Sequence, residues 1–124
     1  MAQPLFDAEA VNAARLCELI EVVPAGTVSR ALLVTPGCRQ ILFSMGAGQE
    51  ISDHRAPFLA IVQILTGRLW LRVLERDHLL GEGDWLSMPP DAPHALRADS
   101  ATRFLLTLLR VSTAAAGTPA ENAA

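Results

Sequence analysis

After Pro24 the chain alternates between short apolar runs and breaks rich in glycine and proline. The breaks include PG, GAG, TG, GEG and PPDAP, which are typical of turns. The apolar runs are rich in Val, Ile, Leu and Phe, as strands are. In chain order they read GTVSRALLV, CRQILFSM, FLAIVQILT, RLWLRVLE, DHLL, DWLSMP, HALRA and TRFLLTLLRV. Many short strands at this close spacing predict an all-β sandwich or barrel.

Several of these runs are apolar on both faces. Only Gln63 is polar in FLAIVQIL, and only Thr107 interrupts the middle of RFLLTLLRV. A strand with one face in water should alternate between apolar and polar residues. We therefore expect both faces to be covered, one by the opposite sheet and the other by a second subunit.

The two ends of the chain differ from this pattern. The stretch DAEAVNAAR, residues 7–15, predicts a short N-terminal helix with Asp7 as its N-cap and Glu9 in its first turn. The tail STAAAGTPAENAA is small, polar and rich in alanine, which predicts disorder. The predicted organisation is an N-terminal extension over 1–24, a barrel over 25–111 and a disordered tail over 112–124.

Composition limits the range of functions. With 124 residues and 51% hydrophobic content, the chain can bury one core but not two. A net charge of -3 provides no basic surface, so we expect no nucleic-acid partner. Cys17 and Cys38 are far apart and predict buried free thiols rather than a disulfide or zinc site. The start lacks a secretory signal and no apolar stretch reaches membrane-spanning length, so we expect a cytoplasmic protein without a membrane partner.

Three histidines are the main candidates for chemistry. His54 lies six residues after Gly48, and His94 closes a stretch that begins at Gly83. We interpret both as ending a glycine-led turn and heading a strand. His78 sits beside a predicted hairpin turn at 75–77, where we expect it to be solvated.

These spacings resemble the two motifs of the cupin superfamily, over about residues 29–110. The first motif has the form G(X)5HXH(X)3-4E(X)6G, and Gly48, His54 and Gly67 fall at matching positions. The second has the form G(X)5PXG(X)2H(X)3N, which is matched by three further residues, namely Gly83, Pro89 and His94. The resemblance implies a small jelly-roll-like cupin barrel. Together with the apolar strands, it also implies a homodimer that pairs through Thr27–Val34 and the apolar outer faces.

The departures from the motifs bear on function. In the family, three histidines and one glutamate project into the barrel and hold a divalent metal. Here Ala56 takes the place of the second histidine and Ala60 that of the glutamate, while Asp91 replaces the glycine of the second motif and Ala98 its asparagine. The resemblance therefore implies a degenerate metal site.

Strand alternation predicts the surroundings of His54. If His54 points inward, so should Ala56 and, beyond Pro57, Ala60, Val62 and Ile64. The predicted site is thus the barrel interior, centred on His54 and His94. Its predicted walls are Ala56, Ala60, Val62, Ile64 and Met88.

Three interpretations follow, and the residues leave open whether the protein is an enzyme. In the first, the histidines line a pocket for a small, partly apolar molecule. In the second, they hold Zn, Ni, Mn or Fe weakly in a dioxygenase- or isomerase-type enzyme, with a third donor from Gln49, Gln63, Met88 or a bound molecule. In the third, they are hydrogen-bonded residues of a non-catalytic sensor or dimerisation module.

Overall fold

The computed structural model describes residues 3–111, which form nine β-strands and one short helix. The 3-10 helix is Leu16–Glu18. The strands are β1 Thr27–Val34, β2 Cys38–Met45, β3 Glu50–His54, β4 Leu59–Thr66, β5 Leu69–Val73, β6 Arg76–Leu80, β7 Trp85–Met88, β8 His94–Ala98 and β9 Thr102–Leu109. The predicted all-β fold is confirmed.

The strands form two antiparallel sheets that face each other. One sheet has the order β1-β2-β9-β4-β7 and the other the order β3-β8-β5-β6. Each of the eight apolar runs named above forms a strand. The remaining strand, β3, reads EISDH and has Ile51 as its one apolar residue, so no apolar run marks it.

The core lies between the two sheets and is almost wholly apolar. Its residues are Met45, Ala60, Val62, Ile64, Leu69, Leu71, Val73, Leu80, Met88, Ala92, Leu96, Ala98 and Phe104. Phe104 is 2% exposed and stacks on Phe43, with ring centroids 5.0 Å apart and an angle of 3° between the planes. Within residues 3–111, every buried side-chain nitrogen and oxygen has a hydrogen-bond partner.

The outer face of the five-stranded sheet carries a second apolar cluster. Leu32, Leu42 and Leu105 are buried there, and the N-terminal segment contributes Phe6, Leu16, Leu19 and Ile20. The N–H groups of Leu5 and Phe6 donate to the carbonyls of Ala31 and Leu32 at 3.0 and 2.8 Å, so the segment pairs with the outer edge of β1. The chain itself therefore supplies cover that the apolar pattern led us to expect from a second subunit.

The short N-terminal helix is present, but it lies later in the chain than residues 7–15. Asp7 Oδ1 accepts from the N–H of Glu9 at 2.9 Å, as an N-cap would, yet only a turn follows. The side-chain amide of Asn12 donates to the carbonyls of Asp7 and Ala10 at 2.8 and 3.2 Å. Side-chain bonds of this kind compete with helical backbone bonds, and one turn alone is not self-sustaining.

The three motif glycines all adopt left-handed backbone conformations. Gly48, Gly67 and Gly83 have φ values of 84°, 86° and 87°. A residue with a Cβ is disfavoured there, which gives a physical reason for glycine at these motif positions.

The predicted disordered tail, residues 112–124, lies outside the described residues. The boundaries of the three predicted parts of the chain therefore stay predictions. Both cysteines are free and half-buried. Between residues 3 and 111 the structure has no helix long and apolar enough to cross a membrane.

Candidate functional site

The structure brings His54 and His94 together at one end of the barrel. They are Cα partners across the β3–β8 ladder, and their ring centroids lie 5.3 Å apart with the planes at 88°. Directly opposed residues of an antiparallel pair share one face of the sheet. The two imidazoles therefore form one site, although 39 residues separate them in the sequence.

The strand assignment of one histidine was wrong. His94 heads β8 as expected, whereas His54 is the last residue of β3. A connection over residues 55–58 separates it from β4, which begins at Leu59. Alternation therefore does not run unbroken from His54 to Ala60, and His54 is exposed rather than enclosed.

A cavity of about 460 Å³ adjoins the histidine pair. This volume lies within the range of pockets for small organic molecules. Three strands and their connections contribute to the lining, which consists of Asp53, His54, Arg55, Arg72, Leu74, Glu75, Pro93, His94 and Ala95. Most of these residues are exposed, so the cavity is at the edge of the barrel and open to solvent.

Both signs of charge line the cavity. Arg55 and Arg72 are cationic, and Asp53 and Glu75 are anionic. Arg72 forms an ion pair with Asp77 on β6, with 3.3 Å between Nη1 and Oδ1. Because both side chains are about half exposed, this pair contributes little to stability but limits the orientations of the guanidinium.

One hydrogen bond defines the protonation pattern of His94. Its Nδ1 lies 3.0 Å from the backbone carbonyl of Ala92. A carbonyl oxygen can only accept, so Nδ1 must carry the proton. In the neutral ring the lone pair then belongs to Nε2, which is the nitrogen able to accept a hydrogen bond or to coordinate a cation.

The hairpin turn between β5 and β6 forms part of the cavity wall. Its two central residues, Leu74 and Glu75, have φ values of 49° and 67°. Such two-residue turns favour Asn and Gly, so two residues with longer side chains carry strain here. The Leu74 N–H donates to the carbonyl of Pro93 at 3.2 Å, which ties the turn to the segment that precedes His94.

The predicted wall residues occupy other places. Ala60, Val62, Ile64 and Met88 are at most 5% exposed and belong to the packed core. Ala56 is half-buried in the connection after His54. The lining of the cavity includes none of these five residues. Their role as walls of a ligand site stays a prediction.

The donor set does not fit a tightly held metal. Within residues 3–111, no group of three or more His, Cys, Asp and Glu side chains is placed to hold an ion. Gln63 is exposed on β4, where it pairs with Trp85, and Gln49 precedes β3 at the end remote from His54. Neither glutamine lines the cavity. Two imidazoles alone fall short of the three or four ligands that protein zinc sites use.

Several lining residues were not predicted from the sequence. Arg55 follows His54 directly and could have been included for that reason. Arg72, Leu74 and Glu75 come from the β5–β6 hairpin, which reaches the site only through the pairing of β5 with β8. The sequence predicted a hairpin turn at 75–77, close to the observed turn at Leu74 and Glu75, but it gave no sign that this turn lies beside the two histidines.

Comparisons with known proteins identify the family of the chain. The family model "AraC-like ligand binding domain" matches residues 41–121, more than half of the chain. None of the curated proteins matches.

Several solved structures, a cupin superfamily protein among them, are similar to the chain. A conserved protein of unknown function from Streptococcus pyogenes has a TM-score of 0.78 at 27% identity, over 90% of this chain and 98% of that one. A cupin superfamily protein from Desulfitobacterium hafniense has a TM-score of 0.76 at 22% identity, over 86% and 95%.

An enzyme shares the fold as well. A salicylate 1,2-dioxygenase variant from Pseudoaminobacter salicylatoxidans, in complex with gentisate, has a TM-score of 0.64 at 18% identity. The match covers 70% of this chain and 26% of the dioxygenase. The match to the family model and the cupin barrel lead to one conclusion: the chain belongs to the family of AraC-like ligand-binding domains, as a small cupin-fold protein.

Proposed function

We propose that this domain binds a small organic molecule in the cavity beside His54 and His94. The observation that carries the proposal is the pairing of the two imidazoles, 5.3 Å apart, at a cavity of about 460 Å³. Membership of a ligand-binding family supports it. The histidines orient the ligand through hydrogen bonds that involve their free ring nitrogens.

The lining indicates which ligands fit. Leu74, Pro93 and Ala95 offer apolar contact, while the histidines and Arg55 offer hydrogen-bonding groups. A molecule with a polar head and a small apolar part would use both. The ion pair of Arg72 with Asp77 leaves Arg55 as the arginine better placed to meet a ligand carboxylate.

A metal-dependent enzyme of dioxygenase or isomerase type is the second candidate. The paired imidazoles favour it, and a structurally similar protein is a dioxygenase in complex with gentisate. It requires Zn, Ni, Mn or Fe to be held weakly by His54 and His94, with a bound molecule as further donor. The third candidate is a sensor that binds a small molecule without converting it.

We further propose that the domain is a cytoplasmic homodimer. Val28 and Val34 of β1 are 37% and 42% exposed, so this edge strand presents apolar side chains to a second copy. Light scattering of the purified chain tests this: twice the mass of one chain supports it, and a monomer contradicts it.

The ligand proposal is tested by removing both imidazoles. Wild type and the double variant His54→Ala/His94→Ala are titrated, by calorimetry, with neutral polyols and with aliphatic and aromatic carboxylic acids, gentisate among them. We expect a wild-type ligand from this panel whose affinity falls about five- to tenfold for each hydrogen bond lost. The exposed His78 does not line the cavity, so His78→Ala is the matched control and should bind as wild type does.

Elemental analysis of the same proteins separates the first two candidates. About one metal per chain in wild type, lost in the double variant, would support the metalloenzyme. Panel binding without metal would support the organic-ligand site. Equal binding by wild type and the double variant would contradict both.

A further inference from the structure

The segment that precedes His94 is held at both of its ends. The Asp91 N–H donates to the carbonyl of Ala56 at 2.7 Å, just after His54, and the Pro93 carbonyl accepts from Leu74 at 3.2 Å. Ala92 lies between these two bonds and is 6% exposed. Its carbonyl, the acceptor for His94 Nδ1, therefore has a fixed direction.

Asp91 is the unusual residue of this segment. Its φ is 65°, in the left-handed region, and it stands where the cupin motif has glycine. Aspartate tolerates this conformation better than most residues, because its short side chain can bond locally. The left-handed backbone reverses the chain after Pro90. The Ala92 N–H closes this turn by donating to the Pro89 carbonyl at 3.3 Å, and the turn lies between the Asp91 N–H, bonded to Ala56, and the Ala92 carbonyl, bonded to His94.

We propose that Asp91 is a positioning residue for His94: its left-handed backbone holds the Ala92 carbonyl against Nδ1, so that Nε2 is the ring nitrogen that meets a ligand. The positioning of His94 by Asp91 does not depend on the proposed ligand site. Its consequence for ligand chemistry does rest on that site. The consequence is a restriction on ligand chemistry. A neutral His94 offers a lone pair at Nε2, which accepts from a hydroxyl or amine of the ligand or coordinates a cation, and it has no proton there for a ligand carbonyl.

The geometry distinguishes the two histidines of the site. His94 is half-buried and bonded to Ala92, whereas His54 is exposed at the end of β3. The prediction is therefore specific to one ring. His54 and the exposed His78 serve as internal references in the same spectrum.

The test is the tautomer of each histidine, read from two-bond ¹⁵N–¹H correlations of the imidazole rings. Ligand-free protein is measured at about pH 8.5, so that the tautomers of neutral imidazole rings are observed. We expect the ratio of the Nδ1–H form to the Nε2–H form to be about five- to tenfold higher at His94 than at the exposed His78, as one hydrogen bond of ordinary strength supports. A predominant Nε2–H form in wild type would overturn the proposal.

Two substitutions isolate the backbone of Asp91. Asp91→Gly keeps the left-handed conformation and should keep the His94 pattern, whereas the β-branched Asp91→Val should abolish the Nδ1–H excess. If Asp91→Val does not fold, Asp91→Ala, with its smaller steric penalty, takes its place and should weaken the excess. An unchanged His94 pattern in a folded Val or Ala variant would overturn the role of Asp91. Loss of the pattern in Asp91→Gly, which keeps the left-handed conformation accessible, would also overturn the role assigned to the left-handed backbone.

These outcomes are independent of whether a ligand is found. The tautomer is measured without ligand, so failure of the titration panel leaves the His94 result in place. Conversely, a panel ligand that binds through both histidines while His94 has the Nε2–H pattern would support the ligand site and overturn this inference.

Discussion

The packed interior and the cavity edge of this barrel differ in polarity, in exposure to solvent and in backbone conformation. The interior is apolar, closed, and satisfies every buried side-chain polar atom described between residues 3 and 111. The edge is exposed and charged, and two of its non-glycine residues, Leu74 and Glu75, have left-handed backbones, as does Asp91 in the segment that leads to His94. Strain and unpaired polar groups are tolerated where they face a ligand or solvent, while stability comes from elsewhere.

The division also explains why substitutions at the histidine pair need not destabilise the fold. The site residues belong to the end of β3, the start of β8 and a hairpin turn, none of which forms the centre of the core. Substitution at the edge should therefore change binding more than stability, and substitution in the interior should do the reverse. Three predictions test this separation.

The largest effect on stability is expected at Phe104. Phe104→Ala removes a ring that is 2% exposed and stacked on Phe43 at 5.0 Å. Loss of transfer energy and the resulting void should lower the free energy of unfolding by about 3–5 kcal/mol. Urea denaturation measures the change. His54→Ala, at an exposed position, is the comparison and should lower it by at most about 0.5 kcal/mol. Equal costs at the two positions would refute the separation.

A matched pair of glycines separates close packing from backbone conformation. A Cβ on Gly67 would lie 2.1 Å from the Ala101 carbonyl oxygen and 2.8 Å from Thr102 Cα. Gly48 has nearly the same φ, 84° against 86°, but open space around its Cβ. We expect Gly67→Ala to cost about 3 kcal/mol or more, and Gly48→Ala about 1 kcal/mol from conformation alone. Thermal denaturation of both variants measures the two costs. Similar denaturation midpoints would contradict the role of the close contact at Gly67.

The smallest effect should be a gain in stability. Replacing the strained turn with Leu74→Asn/Glu75→Gly introduces the residues that two-residue hairpins favour. Leu74 is 56% exposed, so little burial is lost, and we expect stabilisation by about 1 kcal/mol. The denaturation midpoint should rise while affinity for an apolar-tailed ligand falls, because Leu74 lines the cavity. A lower midpoint would mean that the native turn carries no strain.

Most of the fold could be predicted from the sequence, because eight strands correspond to apolar runs between glycine- and proline-rich breaks. The exception was β3. Ile51 is its one apolar residue, so the strand shows no alternation of apolar and polar residues from which it could be predicted. The N-terminal helix was placed too early, since Asn12 offers the carbonyls of Asp7 and Ala10 side-chain partners instead.

The site was accessible only in part. The resemblance to the cupin motifs singled out His54 and His94, and the structure pairs them across two strands. Local periodicity does not predict which strands pair, so it could not bring Arg72 or Leu74 of the β5–β6 hairpin to the same place. Alternation predicts which residues point inward, but it does not show whether they line a cavity or pack together. Val62, Ile64 and Met88 belong to the packed core.

The pairing of the N-terminal segment with β1 has a consequence for how the protein behaves in concentrated solution. The edge of a sheet is a template for further strands, and unguarded edges promote association into aggregates. Leu5 and Phe6 occupy the carbonyls of Ala31 and Leu32, and Phe6 adds its ring to the outer cluster. A chain trimmed ahead of Asp7 would present this edge bare, with Leu32 uncovered beside it. Leu5 and Phe6 thus cover the edge of β1 only at Ala31 and Leu32, although they lie outside the barrel itself, and they leave the exposed Val28 and Val34 for the proposed contact with a second copy.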